Sequence, residues 1–291
     1  MSTSDAVDLL DRRAALLDEG RSAALEETTE QLRRVLEAEE PTVRRITADD
    51  SQELLERLAR GEQVHPVRGP EDLADRLADD RRCYVLEHPA LAGRVLNVVW
   101  VALWRGLAGD VTAILDPAAP TADPSAADTA IFYSIWNVEP GARGLPGGRP
   151  LLEGAVGALR TELPNLATFA TLSPIPGFRD WWEQRHPGVS PPADDSLLED
   201  CARYLTLQEP TGRPIDPVAR FHLRNGARLV ALHRHADTSE LGEERSFGIM
   251  ANYRYEPEDR AANRAALRDG RVALDEQLRR RVSSDRLPTN R

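Results

Sequence analysis

No lysine occurs anywhere in the chain of 291 residues; all 37 basic residues are arginine. This excludes chemistry that needs a primary side-chain amine: an internal Schiff base, a pyridoxal anchor or a P-loop lysine. Cysteine is nearly as scarce, with Cys83 and Cys201 the only two, so neither a disulfide framework nor a Cys-rich zinc site is available. Both thiols read as plain buried residues. Positive charge is in deficit, 48 acidic residues against 37 basic ones giving a formal charge of -11. Nucleic acid and anionic membrane surfaces are therefore poor partners, because both need clustered cations. Any phosphate-bearing ligand must be met by a local group of arginines. The most apolar stretch, residues 95–104, is interrupted by Asn97 and falls far short of the roughly 20 residues that span a bilayer. The first residues are acidic and polar, without a signal-peptide core. The expectation is a soluble, cytoplasmic protein.

Residues 5–40 place Leu25, Leu32, Val35 and Leu36 at helical spacing with charge on the other faces, and Gly20 divides the segment into two helices. This defines an N-terminal helical extension, 1–42, which is either a hairpin packed on the main domain or a self-association surface. From about residue 43 strands alternate with helices, and 43–291 is assigned to one domain. Residues 95–104, rich in valine and bounded by Gly93 and Gly106, form a buried strand candidate, and the proline-bearing segment 116–125 is a surface loop. Residues 129–138 place Phe132, Ser134 and Trp136 on one face and Ile131, Tyr133 and Ile135 on the other, as in a strand packed on both sides. A glycine-rich loop (140–150) follows. A helix from near Pro150 comes next, with Leu152, Val156, Leu159 and Leu163 on one stripe. A second strand, 166–172, ends at Ser173. After two insertion helices (178–186 and 194–207), Asp216 is an N-cap, Pro217 fits the first helical position, and Asn225-Gly226 ends the helix. His222 thus lies in the last turns of a short helix before a strand at 227–232. Residues 257–281 read as one arginine-rich amphipathic helix.

Three features carry chemistry. In the run from Gly141 to Pro150, glycines free backbone N–H groups to turn toward a pyrophosphate, the helix N-terminus adds partial positive charge, and Arg143 and Arg149 add full charges. Ser173 opens a Ser-Pro-Ile-Pro segment whose prolines fix the backbone; by spacing alone it is equally a strand-end serine. His222, a lone histidine, is by itself more simply a core residue. His233 and His235 share a strand face but lack a third ligand, so a metal pair is not expected.

The ordered motifs Arg81-Arg82-Cys83-Tyr84 with His88-Pro89-Ala90-Leu91, Thr129 to Ile135, Leu172-Ser173-Pro174-Ile175-Pro176-Gly177-Phe178, Asp216 to Ala227, and Met250-Ala251-Asn252-Tyr253-Arg254-Tyr255 together resemble the malonyl-CoA decarboxylase family. The resemblance implies an α+β fold: a GNAT-like acyl-CoA domain over 43–291 with a mixed central sheet flanked by helices, preceded by the short helical extension. It implies decarboxylation of malonyl-CoA, or of a substituted malonyl thioester, to acetyl-CoA and carbon dioxide at a Ser173/His222 site. No metal and no separate cofactor is implied, CoA being part of the substrate. Arg143, Gly144, Leu145, Pro146, Gly147, Gly148 and Arg149 match the CoA-binding segment, and His88, Ser134, Asn225 and Tyr253 are supporting candidates. An acyl carrier protein and a homo-oligomer are the macromolecular partners it allows, and the Cys83 position can take part in covalent linkage between subunits. Trp136 departs from the family, whose members generally have a small residue there. Two other readings use the same residues: a GNAT-type acyltransferase and a non-catalytic acyl-CoA-binding module.

Overall fold

The computed structural model describes residues 3–20 and 22–283. Along the chain the helices and strands are α1 (Thr3–Glu19), α2 (Ser22–Leu36), β1 (Thr42–Ile46), α3 (Gln52–Gly61), α4 (Pro70–Asp75), β2 (Arg81–Glu87), β3 (Val95–Trp104), α5 (Val111–Ile114), β4 (Thr129–Asn137) and α6 (Gly148–Glu162). They continue with β5 (Thr168–Thr171), β6 (Ser173–Pro174), α7 (Phe178–Arg185), α8 (Ser196–Thr206), α9 (Pro217–Arg224), β7 (Arg228–His233), α10 (Glu240–Ser246), β8 (Met250–Arg254), α11 (Arg260–Arg268) and α12 (Glu276–Ser283). The chain is α+β, as the sequence implies. It divides into two compact units, one of residues up to Leu103 with 120–127 and 132–166, the other of 104–119, 128–131 and the chain from 167 onward.

In the first unit, β1 pairs antiparallel with β2 (Thr42 opposite Glu87, Ile46 opposite Cys83), and β2 pairs antiparallel with β3. β2 and β3 are buried over almost their whole length. This is why 95–104 reads as an unbroken apolar run rather than an alternation. Each fully buried Val or Leu contributes about 1.5–3 kcal/mol of transfer free energy. Helix α6 begins at Gly148, two residues before the position expected from Pro150, and buries Leu151, Leu152, Ala155, Val156 and Leu159. Gly154 lets it approach β1 closely, since a Cβ there would stand 2.4 Å from Val43 Cγ2. The predicted break at Gly20 is present, with φ at +66°, a conformation that favours glycine.

In the second unit, β8 is the organising strand. β5 and β6 both pair antiparallel with it in one register, Ala170 opposite Arg254 and Ser173 opposite Ala251, but Leu172 between them belongs to neither strand. On its other side β8 pairs antiparallel with β7, and there the register shifts between Leu229 and Ala231. Helix α9 starts as predicted: Asp216 accepts from the Val218 and Ala219 amides and Pro217 takes the first helical position. The C-terminal region is two helices rather than the single one expected over 257–281. The chain turns at Gly270, which has φ +77°, and Leu274 then forms a parallel bridge with Leu229 of β7.

Candidate active site

Ser173 is the first residue of β6, at the restart of a ladder that lapses for one residue, and His222 sits in the last turn of α9. The prolines on either side of Ile175 and the cap at Asp216 fix these two backbones independently. The structure brings the side chains together: His222 Nε2 lies 3.0 Å from Ser173 Oγ. Ser173 Oγ donates to Thr171 Oγ1 at 2.8 Å, and Thr171 Oγ1 also accepts from the Tyr253 amide at 3.1 Å. On the far side of the ring, His222 Nδ1 is 2.7 Å from the Tyr255 hydroxyl. With the serine proton committed to Thr171, a consistent neutral arrangement has Nε2–H donating to Ser173 and the Tyr255 hydroxyl donating to Nδ1. The ring is stacked on Tyr253, with centroids 4.6 Å apart and planes 23° from parallel.

Burial governs the electrostatics. Ser173 is 5% and His222 4% exposed, and removal from water pushes the imidazole down to about 3, so it is neutral at ordinary pH. Tyr255 is raised by the same loss of water and stays a phenol. Asp216 is also raised by burial, to about 6, against the pull of the backbone amides it caps. A tyrosine hydroxyl on Nδ1 serves either protonation state, because it donates to a neutral ring and accepts from a charged one. A carbonyl could only accept.

The glycine-rich segment lies in the first unit and has the opposite character. Arg143, Gly144, Pro146 and Arg149 are exposed, Leu145 and Gly147 are half-buried, and Gly148 is buried at the start of α6. No side chain caps that helix. Arg149 makes a 3.5 Å pair with Glu153, while Arg143 has no ion pair among the described residues. The loop is tied down through its backbone: Arg13 of α1 donates to the carbonyls of Gly141 and Arg143, and a Cβ on Gly147 would meet Asn97 Oδ1 at 2.1 Å.

The supporting candidates fall in different places. Tyr253 is against the His222 ring. Asn225 ends α9, its amide bonded to carbonyls of the last turn. His88 is buried with both ring nitrogens engaged: Nδ1 accepts from the Ala90 amide, and Nε2 reaches the carbonyls of Leu36 and Glu39, so the ring joins the end of the helical hairpin to the loop after β2. Ser134 Oγ donates to Glu62 Oε2 at 2.7 Å, and the Trp136 indole N–H donates to the same oxygen at 3.1 Å. Trp136 also covers Gly61, where a Cβ would lie 2.2 Å from the ring, and so fastens the end of α3 to β4. Cys83 is fully buried and burial raises its thiol well above the ordinary range, so no second chain can reach it in this conformation. His233 bonds to Asn252 Oδ1, and no group of three or more His, Cys, Asp or Glu fit to hold a metal occurs among the described residues. No helix among them is long and apolar enough to cross a membrane.

Sequence reasoning did not single out Thr171 or the bond from Tyr255 to His222. Tyr255 ends the motif that begins at Met250, but nothing in that stretch of sequence points to a polar contact with His222. Nothing local distinguishes Thr171 from any other strand threonine.

The chain is an α+β fold with a buried hydroxyl–imidazole pair, Ser173 and His222, in its second unit, and a glycine- and arginine-bearing turn ahead of the amphipathic helix α6 in its first. At the level of fold alone the chain is similar to the loading GNATL domain of CurA from Lyngbya majuscula, with 16% identity and a TM-score of 0.51 over 75% of this chain and 98% of that one. The family model for the malonyl-CoA decarboxylase C-terminal domain matches residues 41–193 and 191–290. The chain belongs to this family. It is 33% identical over 269 residues to the mitochondrial malonyl-CoA decarboxylase of Anser anser anser, a match over 76% of this chain and 53% of that protein. Among solved structures, the malonyl-CoA decarboxylase from Agrobacterium vitis has a TM-score of 0.84 at 33% identity, over 95% of this chain and 76% of that one. The chain spans about half the length of the curated relatives it matches.

Proposed function

We propose that this chain decarboxylates malonyl-CoA, or a closely related malonyl thioester, to acetyl-CoA and carbon dioxide. The observation that carries the reading is the 3.0 Å contact between Ser173 Oγ and a neutral, buried His222 in a member of the decarboxylase family. Arg143 and Arg149, with the amides that open α6, take the CoA phosphates, and the exposure of that loop suits a ligand that arrives from water. The chemistry asks for no added electron sink, because the thioester carbonyl accepts the electrons.

In the free protein His222 is uncharged. A malonyl carboxylate brought beside it reverses the balance, since a nearby anion favours the imidazolium, and one proton is taken up from solvent with the substrate. The Nδ1–H then donates to Tyr255, whose hydroxyl turns to accept it. Ser173 turns its O–H from Thr171 toward the substrate oxygen. When the bond between the methylene carbon and the carboxylate breaks, its electrons pass into the thioester carbonyl as an enolate and carbon dioxide leaves uncharged. A hydrogen bond to the developing oxyanion in such a site is worth on the order of 3 kcal/mol. The enolate collapses as the carbon takes the Nε2 proton, which returns His222 to neutral. Substrate carboxylate and proton go in; thioester and carbon dioxide come out, and the charges balance.

The test is to incubate purified protein with malonyl-CoA and, separately, methylmalonyl-CoA and to follow thioester mass with time. Acetyl-CoA formed without any acceptor supports decarboxylation. Product only in the presence of an amine or a carrier-protein thiol indicates transfer, and a CoA-dependent thermal shift without product indicates a binding module. The proton inventory adds a second check: kcat should fall as pH rises through the His222 pKa of the substrate complex, and a kcat that climbs with pH would contradict His222 as the donor.

A further inference from the structure

Asn252 lies opposite a lapse in the ladder on one side of β8 and beside a register shift on the other. Toward β5 and β6 it faces Leu172, the residue that belongs to neither strand. Toward β7 it pairs with Ala231, directly after the register shift at Leu229/Ala231. Two side chains fill the gap. Thr171 Oγ1 takes the Tyr253 amide that would otherwise seek a carbonyl, and Asn252 Nδ2 donates to the Thr171 carbonyl at 2.6 Å and to the Ala108 carbonyl at 3.0 Å. With both amide protons given to carbonyls, Asn252 Oδ1 must be the acceptor toward His233 Nε2, 2.6 Å away, and His233 carries its proton on that nitrogen. The opposite edge of the His233 ring rests on Gly109, where a Cβ would stand 2.6 Å from Nδ1. Asn252 is fully buried, so these bonds have no competition from water.

Resting on the decarboxylase reading above, we propose that His233 and Asn252 are positioning residues for the reaction: His233 holds the Asn252 amide in one orientation, Asn252 holds Thr171, and Thr171 sets where the Ser173 hydroxyl stands relative to His222. Neither His233 nor Asn252 bonds to Ser173 or His222 themselves. The gap in the ladder lets Thr171 point its hydroxyl at Ser173 rather than leaving the strand edge sealed by backbone pairing. Asn252 is the group that keeps the gap from closing or slipping.

Two changes disturb the chain from different ends. His233→Ala removes the donor to Asn252, and Gly109→Ala leaves every hydrogen-bonding group in place but displaces the ring. Each should lower kcat for malonyl-CoA about tenfold, the scale of a small misplacement of a reacting group. KM should hold within about twofold, because binding of the CoA phosphates is untouched. His233→Gln places an amide nitrogen near the Nε2 position and should restore most of the lost kcat. Equal losses in the Ala and Gln variants, or a His233→Ala kcat equal to that of the unaltered protein, would overturn the proposal; a structural role alone would lower the melting temperature without the split between kcat and KM. Nitrogen-15 resonances of the His222 ring give a readout that needs no turnover, and His233→Ala should shift the Nε2 signal. If no malonyl-CoA turnover is seen at all, the functional reading fails, and an unchanged Nε2 signal in His233→Ala separately rejects the positioning chain.

Discussion

Ser173 and His222 have their side chains hydrogen-bonded and shut away from water, whereas Arg143 and Arg149 present exposed guanidinium groups on a loop tied down through its backbone. On the proposed function, the contrast separates two tasks. Fixing a proton donor and a hydroxyl within hydrogen-bond reach needs desolvation and a settled tautomer, and both come from strand and helix ends. Capturing a polyanionic ligand needs charge that water can reach and a backbone that does not collapse onto it. Changes in the first region should therefore act on kcat, and changes in the second on KM.

The largest effect belongs to the buried pair. Ser173→Ala and His222→Asn should each lower kcat by about 10²–10⁴-fold, the span of general acid–base contributions, with little change in KM; steady-state kinetics on malonyl-CoA decide this, and a large KM effect with kcat intact would merge the two regions. Arg143→Ala should next raise KM about tenfold, the range of one charge-assisted hydrogen bond. That penalty should shrink as salt screens the loop, and a loss of kcat instead would give the loop a part in the chemistry. Tyr255→Phe removes one neutral hydrogen bond to Nδ1 and should cost about fivefold in kcat, measured against unchanged folding by circular dichroism.

The smallest effect tests the electrostatics inside the buried region. Burial lowers His222 from 6.5 to about 3, so the unfolded chain binds the extra proton between those values and stability from this group falls as pH drops from about 6.5. Asp216 is raised from 3.8 to about 6, so here the folded chain binds the extra proton, and stability from this group falls as pH rises from 3.8 toward 6. The two oppose each other between about pH 4 and 6. Asp216→Asn, which keeps a capping side chain, should expose the His222 slope, with melting temperature declining more steeply below about pH 6 than in the unaltered protein. Parallel melting curves for the two across pH 4–6 would mean that the opposition is absent.

Local signals were legible in the residues themselves. The break at Gly20, the buried run of β3, the Asp216-Pro217 start of α9 and its stop at Asn225-Gly226 each depend on a few neighbouring side chains and on backbone sterics, and each stands where the sequence puts it. Two elements differ from the local signals: α6 starts at the buried Gly148, two residues before Pro150, and the C-terminal stretch is divided by the turn at Gly270 and the bridge from Leu274 to Leu229. Ser173 and His222 were legible through the ordered motifs around them, while His88 and Ser134 carried no local sign that their partners would be backbone carbonyls and a buried carboxylate.

The order of residues by itself determined the α+β pattern, the caps that hold His222, the prolines that hold Ser173 and the family to which the motifs belong, because each separate element, cap or motif is written in neighbouring positions. Only the tertiary structure decided that Tyr255 would meet Nδ1, that Thr171 would accept the Ser173 hydroxyl's hydrogen bond, and that Asn252 would stand across a lapse in the ladder. Those contacts join strands and helices far apart along the chain. Their geometry is set by register and by the withdrawal of water, neither of which any single stretch of sequence contains.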